Sequence, residues 1–394
     1  MKLVLTGKVF DGEKIIEKGS VIIEEDKIID VVEGEEKGDR VIKGNFILPG
    51  LIDTHVHFFG VEDDNVLSWN LVNEIDAAIR STRDMEKLLR SGFTTVRDLG
   101  SKVAVNLSKL QRRGEIIGPT VIASGYSLAI TGGDDDPKDL PLDIAQRLSY
   151  SFYCDSPYEC RKAVRMAIRQ GASVIKVYAS GAFSQGEIIL PGFSLDELKA
   201  IVDESHRAGL KVASHAYGKE AIMNSILAGV DTIEHGLGLD DETASMIKEK
   251  GICYIPTLSA YEIDFPVPKE VRKYREELVK RHFNEDMRIA VSKGLKIATG
   301  TDYVGSKQRP HGKNYRELVL LSRYMNHIEV LKSATSIAGE CLGLNVGKLK
   351  RGYTADIIVV KDDPTVSIEN LSPSNIIYVI KEGKVYRGYG NYEE

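Results

Sequence analysis

Two histidines separated by one residue, His55 and His57 in the segment DTHVH, are the first chemically suggestive feature of this 394-residue chain. Residues two apart on an extended strand project from the same face, so both imidazoles can converge on one cation. Two more histidines, His215 in KVASHAYG and His235 in TIEHG, close consecutive apolar runs and can hold a second cation side by side. Asp302 ends the run KIATGTD. In a closed ring of eight strands the last neighbours the first, so its carboxylate falls beside the His55 and His57 pair. Lys176 sits inside the apolar run SVIKVYAS, where burial strips an ammonium of its charge unless something neutralises or modifies it. A neutral amine reacts with CO₂, and the resulting carbamate offers one oxygen to each of two metals. Together these six side chains describe two bridged divalent cations, which can activate water and polarise a carbonyl.

Three further residues are candidates for handling a substrate. Tyr217 lies two residues beyond His215 on the same strand face, from which its phenol can reach a bound carbonyl or oxyanion; an aromatic packing role is the alternative. Arg97 in TTVRDLG and His311 in the loop after Asp302 are the candidates for gripping a substrate carboxylate, although Arg97 can instead pair with the adjacent Asp98.

These residues need a scaffold that brings strand ends together. Eight short apolar runs alternate with amphipathic segments: FILPGLIDTHVH, TTVRDLG, TVIASGY, VIKVYAS, KVASHAYG, TIEHG, CYIPTLSA and KIATGTD. That alternation predicts an α/β protein with a TIM-like (β/α)8 barrel, whose functional groups gather at the C-terminal ends of the strands. Capping signals punctuate the helices, as in SLDE through RAG. Residues 1–50 and 346–394 instead show strand alternation and tight turns, with too few strands on either side to stand alone. We expect them to pair into one small β-sandwich, leaving residues 51–345 as the barrel.

Composition narrows the function classes. A formal net charge of -6, from 52 basic and 58 acidic residues without a basic stripe, argues against nucleic acid as a partner. The N-terminus MKLVLTGKVFDG lacks the apolar core of a signal peptide, and no apolar run is long enough to span a membrane. The expectation is a cytoplasmic protein acting on a small molecule, with a homo-oligomer left open. The four cysteines, Cys154, Cys160, Cys253 and Cys341, form neither a disulfide framework nor a CxxC knuckle, so buried free thiols are expected.

The segments GNFILPGLIDTHVH, GFTTVRDLG, GASVIKVYASG, VASHAYG, AGVDTIEHG, IATGTD, the loop with His311 and Gly312, and ATSIAGECLGL followed by GKLKRGYTADIIVV resemble the amidohydrolase superfamily. The similarity covers nearly the whole chain and is most specific to the imidazolonepropionase-related, prolidase-like branch. The resemblance implies one metal on His55, His57 and Asp302, another on His215 and His235, and a carboxylated Lys176 with a hydroxide between them. Zinc is the expected metal. It also implies hydrolysis of an amide or peptide bond in a dipeptide or N-acyl amino acid, with Asp302 moving the proton and Tyr217 facing the oxyanion. Two rivals share the framework: a mononuclear deaminase or imidazolone-type hydrolase, which has no need of Lys176, and a phosphotriester or lactone hydrolase. One departure stands out. Where many branch members carry a histidine after TGG, this chain reads Asp134, Asp135 and Asp136; at a pocket rim these carboxylates would favour a basic over an acidic substrate, and a solvated loop is the alternative we prefer.

Overall fold

The computed structural model describes residues 2–183, 189–263 and 269–387. Four strands open the chain: β1 (Lys2–Phe10), β2 (Ile15–Glu24), β3 (Lys27–Glu33) and β4 (Arg40–Pro49). Ten follow: β5 (Leu51–Val56), β6 (Phe93–Asp98), β7 (Thr120–Ala123), β8 (Ser127–Ala129), β9 (Ser151–Tyr153), β10 (Ile175–Tyr178), β11 (Val212–Ala216), β12 (Thr232–His235), β13 (Cys253–Ile255) and β14 (Lys296–Ile297). Three close it: β15 (Ile357–Val360), β16 (Ile376–Lys381) and β17 (Lys384–Arg387).

Both ends of the chain build one seven-stranded sheet in the order β17-β16-β15-β4-β1-β2-β3. The seam is β4, which runs parallel to β1 and antiparallel to β15. Alternation along these strands turns Leu5, Val21, Ile47, Ile357 and Val359 into a common apolar core. A buried ion pair, Lys381 Nζ to Asp356 Oδ2 at 3.0 Å, sits beside that core. The chain leaves this sheet at Gly50, where an added Cβ would meet Thr94 Oγ1 at 2.2 Å; only glycine allows the close passage from β4 into β5.

The middle of the chain is α/β. All its paired strands are parallel, in a three-stranded sheet β5-β6-β7 and a seven-stranded sheet β14-β13-β12-β11-β10-β8-β9. Hydrogen bonds link the edges of these sheets. The Ser173 N–H donates to the Ala123 carbonyl, and the Thr54, His57 and Asp302 N–H groups donate to the carbonyls of Thr299, Tyr303 and His55, all at 2.8 Å. The eight predicted runs coincide with β4–β5, β6, β7, β10, β11, β12, β13 and β14. Strands β5, β6, β10, β11, β12 and β13 are buried at every residue, which is why they read as continuous runs. The helix Leu195–Arg207 starts at the predicted cap, with Ser194 and Glu197 forming a reciprocal capping box. Among the described residues no helix is long and apolar enough to cross a membrane.

Two points differ from the sequence reading. The short strands β8 and β9 are additions, each three residues long and too brief to show a period. The expectation of four free thiols is corrected: Cys253 and Cys341 form a disulfide across a separation of 88 residues, tying the start of β13 to the helix Ser336–Leu342. Cys154 and Cys160 are buried thiols.

Candidate active site

All six predicted metal-ligating side chains line one cavity of about 80 Å³, together with Tyr217. The strands bring them there. His55 lies near the end of β5 and His57 just beyond it, Lys176 is in β10, and His215 and His235 lie at the ends of β11 and β12. The register pairs Tyr178 with His215 and Ala216 with His235, so the two histidines sit one step apart on neighbouring strands. Two of the residues here have strained backbones: His235 has φ 66° and Asp302 φ 57°, left-handed values that are uncommon for non-glycine residues.

His57 Nε2 lies 3.0 Å and His55 Nε2 3.4 Å from Asp302 Oδ1. One ligand atom from each of these three residues falls within 4.8 Å of the others, a spacing that suits one ion. The second pair approaches closely, with ring centroids of His215 and His235 4.7 Å apart and those of His55 and His235 5.0 Å apart. Each imidazole has its remote nitrogen engaged. His55 Nδ1 faces Glu234 Oε2 at 2.8 Å, His57 Nδ1 the Gly100 carbonyl at 2.9 Å, His235 Nδ1 Thr257 Oγ1 at 2.7 Å, and His215 Nε2 the Gly181 carbonyl at 3.2 Å. Such outer partners fix the tautomer and leave one nitrogen per ring for a metal. His55 Nε2 shows the consequence, being buried without a hydrogen-bond partner among the described residues.

The electrostatics suit cation binding. Burial, then the charge of Lys176, pushes His215 down to about 3 and His55 well below its ordinary value, while burial and the neighbouring imidazoles do the same to His235. These rings are neutral, as metal ligands must be. Burial alone would raise the Asp302 carboxyl, but the His57 hydrogen bond and the nearby Arg309 guanidinium bring it well below the usual carboxylate range. Burial lowers Lys176, against the opposing pull of Glu234 and Asp302.

Two predicted substrate contacts are corrected. Arg97 is buried behind the site rather than lining it. Its Nε donates to the Thr54 carbonyl (2.6 Å), Nη1 to Thr232 Oγ1 (3.2 Å) and Nη2 to Glu234 Oε1 (2.7 Å), so it fixes the carboxylate that fixes His55. His311 lies beneath His57, its Nε2 3.1 Å from the His57 carbonyl, and does not line the cavity either. The acidic run is corrected too. Asp134, Asp135 and Asp136 are buried, and Asp135 accepts hydrogen bonds from Tyr150 Oη (2.5 Å) and Ser151 Oγ (2.8 Å). Asp134 and Asp135 form a wall of the cavity, not a solvated rim.

Sequence reasoning missed several wall residues. Arg309, two residues before His311, binds Asp64 Oδ1 through Nε (2.6 Å) and Asp302 Oδ2 through Nη1 (3.3 Å). Arg275 lines the opposite side, near the Phe183 ring. Tyr261 donates to the Tyr217 hydroxyl at 2.8 Å. Aromatic rings stand on both sides, Phe59, Trp69 and Tyr150 near His57, and Phe183, Tyr217 and Tyr261 near His215 and His235. The motif TIEHG did carry a usable signal for one of the missed groups, since Glu234 directly precedes His235.

Residues 46–386 match the profile of the amidohydrolase family. Ochratoxinase of Aspergillus niger is 32% identical over 416 aligned residues, covering 96% of this chain and 85% of that protein. Its crystal structure superposes with a TM-score of 0.92 at 29% identity, covering 99% of this chain and 96% of the other. A Xaa-Pro dipeptidase crystallised with methionine in its active site gives a TM-score of 0.86 at 32% identity, covering 98% and 100% of the two chains.

Proposed function

The chain belongs to the amidohydrolase family, and from that premise we propose that it is a two-metal hydrolase cleaving the amide or peptide bond of a dipeptide or N-acyl amino acid. It is a hydrolase of carbon–nitrogen or peptide bonds; the proposal concerns the metals, the residues and the substrate. We take residues 51–345 as a closed (β/α)8 barrel and residues 1–50 with 346–394 as a terminal sandwich. The observation that carries the functional reading is the convergence of His55, His57, Lys176, His215, His235 and Asp302 on one cavity, each histidine with its second nitrogen already occupied.

His55, His57 and Asp302 would hold one divalent cation and His215 with His235 the other, with Lys176 between them as its carbamate; zinc fits the nitrogen-rich donor set. When bound, such a pair supplies a water that ionises near neutral pH and a Lewis acid for the scissile carbonyl. The chain's own groups do the rest. Asp302 takes the proton of the attacking water and delivers it to the departing nitrogen, without which an amide nitrogen leaves poorly. Arg309, hydrogen-bonded to Oδ2, keeps the protonated carboxyl strongly acidic and so favours delivery. Tyr261 donates to the Tyr217 oxygen, which leaves the Tyr217 proton to face the carbonyl oxygen as negative charge develops there.

Arg275 takes over the carboxylate grip once assigned to Arg97 and His311, because it lines the cavity on the Tyr217 side. The aromatic walls favour apolar or ring-bearing groups on both sides of the bond. The relatives' names point to the same range, Xaa-Pro dipeptides and ochratoxins. A mononuclear deaminase reading leaves the buried Lys176 without a purpose. The test compares kcat/KM for an Xaa-Pro dipeptide, its C-terminal amide and matched N-acetyl amino acids. The free acid should exceed the amide by at least about tenfold, the worth of one charged hydrogen bond. Equal rates would remove the carboxylate grip, and no hydrolysis of any of the three would remove the substrate class.

A further inference from the structure

Cys154 and Cys160 are six residues apart in sequence and adjacent in space. Cys154 follows β9, Cys160 falls in the first turns of the helix Pro157–Gln170, and the two sulfur atoms approach to 2.8 Å with both residues fully buried. Non-bonded contacts between carbon atoms, which are smaller than sulfur, already settle at about 3.5–4.0 Å. The observed distance falls well short of that contact range, about midway between it and the S–S bond length. We propose that Cys154 and Cys160 form a second disulfide, a clasp on the segment that holds the acidic wall of the cavity.

The position gives the bond its purpose. The residues just before Cys154 carry the partners of the acidic run. Tyr150 and Ser151 donate to the Asp135 carboxylate, and Tyr153 Oη donates to the Asp135 carbonyl at 3.2 Å. Asp155, just after Cys154, receives both the N–H (2.8 Å) and the hydroxyl (2.7 Å) of Thr131. A bond to Cys160 anchors this segment to a helix packed against the rest of the fold. The chemistry is thiol–disulfide exchange with a small oxidised disulfide. The thiolate of one cysteine attacks that disulfide and releases one of its thiols. The second cysteine then attacks the mixed disulfide and releases the other, so the protein gives up two protons and two electrons and the oxidant becomes two thiols. The Cys160 contact and burial push the Cys154 thiol far above its usual range, so exchange is slow in the folded chain and closure belongs to folding or local opening.

Trypsin makes the test direct, because cleavage after Arg147 and Arg161 places both cysteines in one peptide, residues 148–161. Protein refolded in a mixture of oxidised and reduced glutathione is quenched in acid, alkylated while denatured, and digested. The peptide should be two hydrogens lighter than its reduced form and carry no alkyl group, and prior reduction should let it take up two. Cys253 and Cys341, recovered as a linked pair of peptides, report that the buffer was oxidising. Two alkyl groups on residues 148–161 while that pair stays linked would overturn the proposal, as would glutathione retained on one cysteine.

Discussion

Lys176 is the side chain from which the fold demands most. It stands 1% exposed among apolar strand residues, where burial disfavours an ammonium and a carbamate held between two cations would be better tolerated. Lys176→Ala should therefore lose most activity, and short carboxylic acids added to the variant should restore part of it; an undiminished variant would remove the bridge. Asp302→Asn should lower kcat by about 10² to 10⁴, the range for a lost acid–base group, with metal content falling less than activity. If the two fall in step, Asp302 is a ligand and nothing more. Tyr217→Phe should lower kcat by about 10²–10³ with little change in KM. Tyr261→Phe should cost about tenfold alone, one hydrogen bond's worth, and nothing further when combined with Tyr217→Phe, because it acts only through that hydroxyl. Additive losses in the double variant would make Tyr261 a packing residue.

At the scale of elements, the stretch that follows β13 does most of the positioning. Thr257, at φ 49°, holds His235, and the short 3-10 turn Leu258–Tyr261 delivers Tyr261 to the cavity. Glu317 anchors this turn by accepting the N–H groups of Leu258 (2.9 Å) and Ser259 (2.7 Å). Burial pushes the Glu317 carboxyl up to about 8, against those two donors. A carboxyl raised in the folded state gives stability that is whole below the ordinary glutamate range and lost as pH rises through about 8. Thermal unfolding followed from pH 5 to 9 should show that decline, and Glu317→Gln should flatten it; an unchanged slope would contradict the assignment.

The elements were largely legible because strands buried along their length must be apolar, and a polar residue closing such a run has few purposes other than chemistry. His55, His57, Lys176, His215, His235 and Asp302 were singled out on that ground, and the fold brings all six to one cavity. Depth was not legible. Arg97 follows the same alternation as a cavity residue yet lies a layer below it, on Glu234, and a sequence gives no measure of that. The loop after Asp302 hid its register as well: Arg309 reaches Asp302 while His311, two residues on, turns beneath His57. Asp134, Asp135 and Asp136 looked solvated because three adjacent carboxylates normally are, and only the fold supplies the hydroxyls of Tyr150 and Ser151 that bury one of them.

Over the whole molecule, two devices tie distant parts of the chain together, one joining its two ends and one within its middle. The seam strand β4 joins β1 to β15, and the disulfide of Cys253 and Cys341 ties the short helix Ser336–Leu342 to the start of β13. That bond lies at the N-terminal end of its strand, away from the cavity. Replacing both cysteines by serine should lower the melting temperature while leaving kcat at room temperature unchanged, and a loss of kcat without a change in melting would contradict this division of labour. The central claim concerns the two cations, and a titration reads it most directly. Metal-stripped enzyme receives zinc in increments while hydrolysis of an Xaa-Pro dipeptide is followed. Activity should rise to its plateau at two equivalents per chain. A plateau at one equivalent, or full activity with none, would contradict the account.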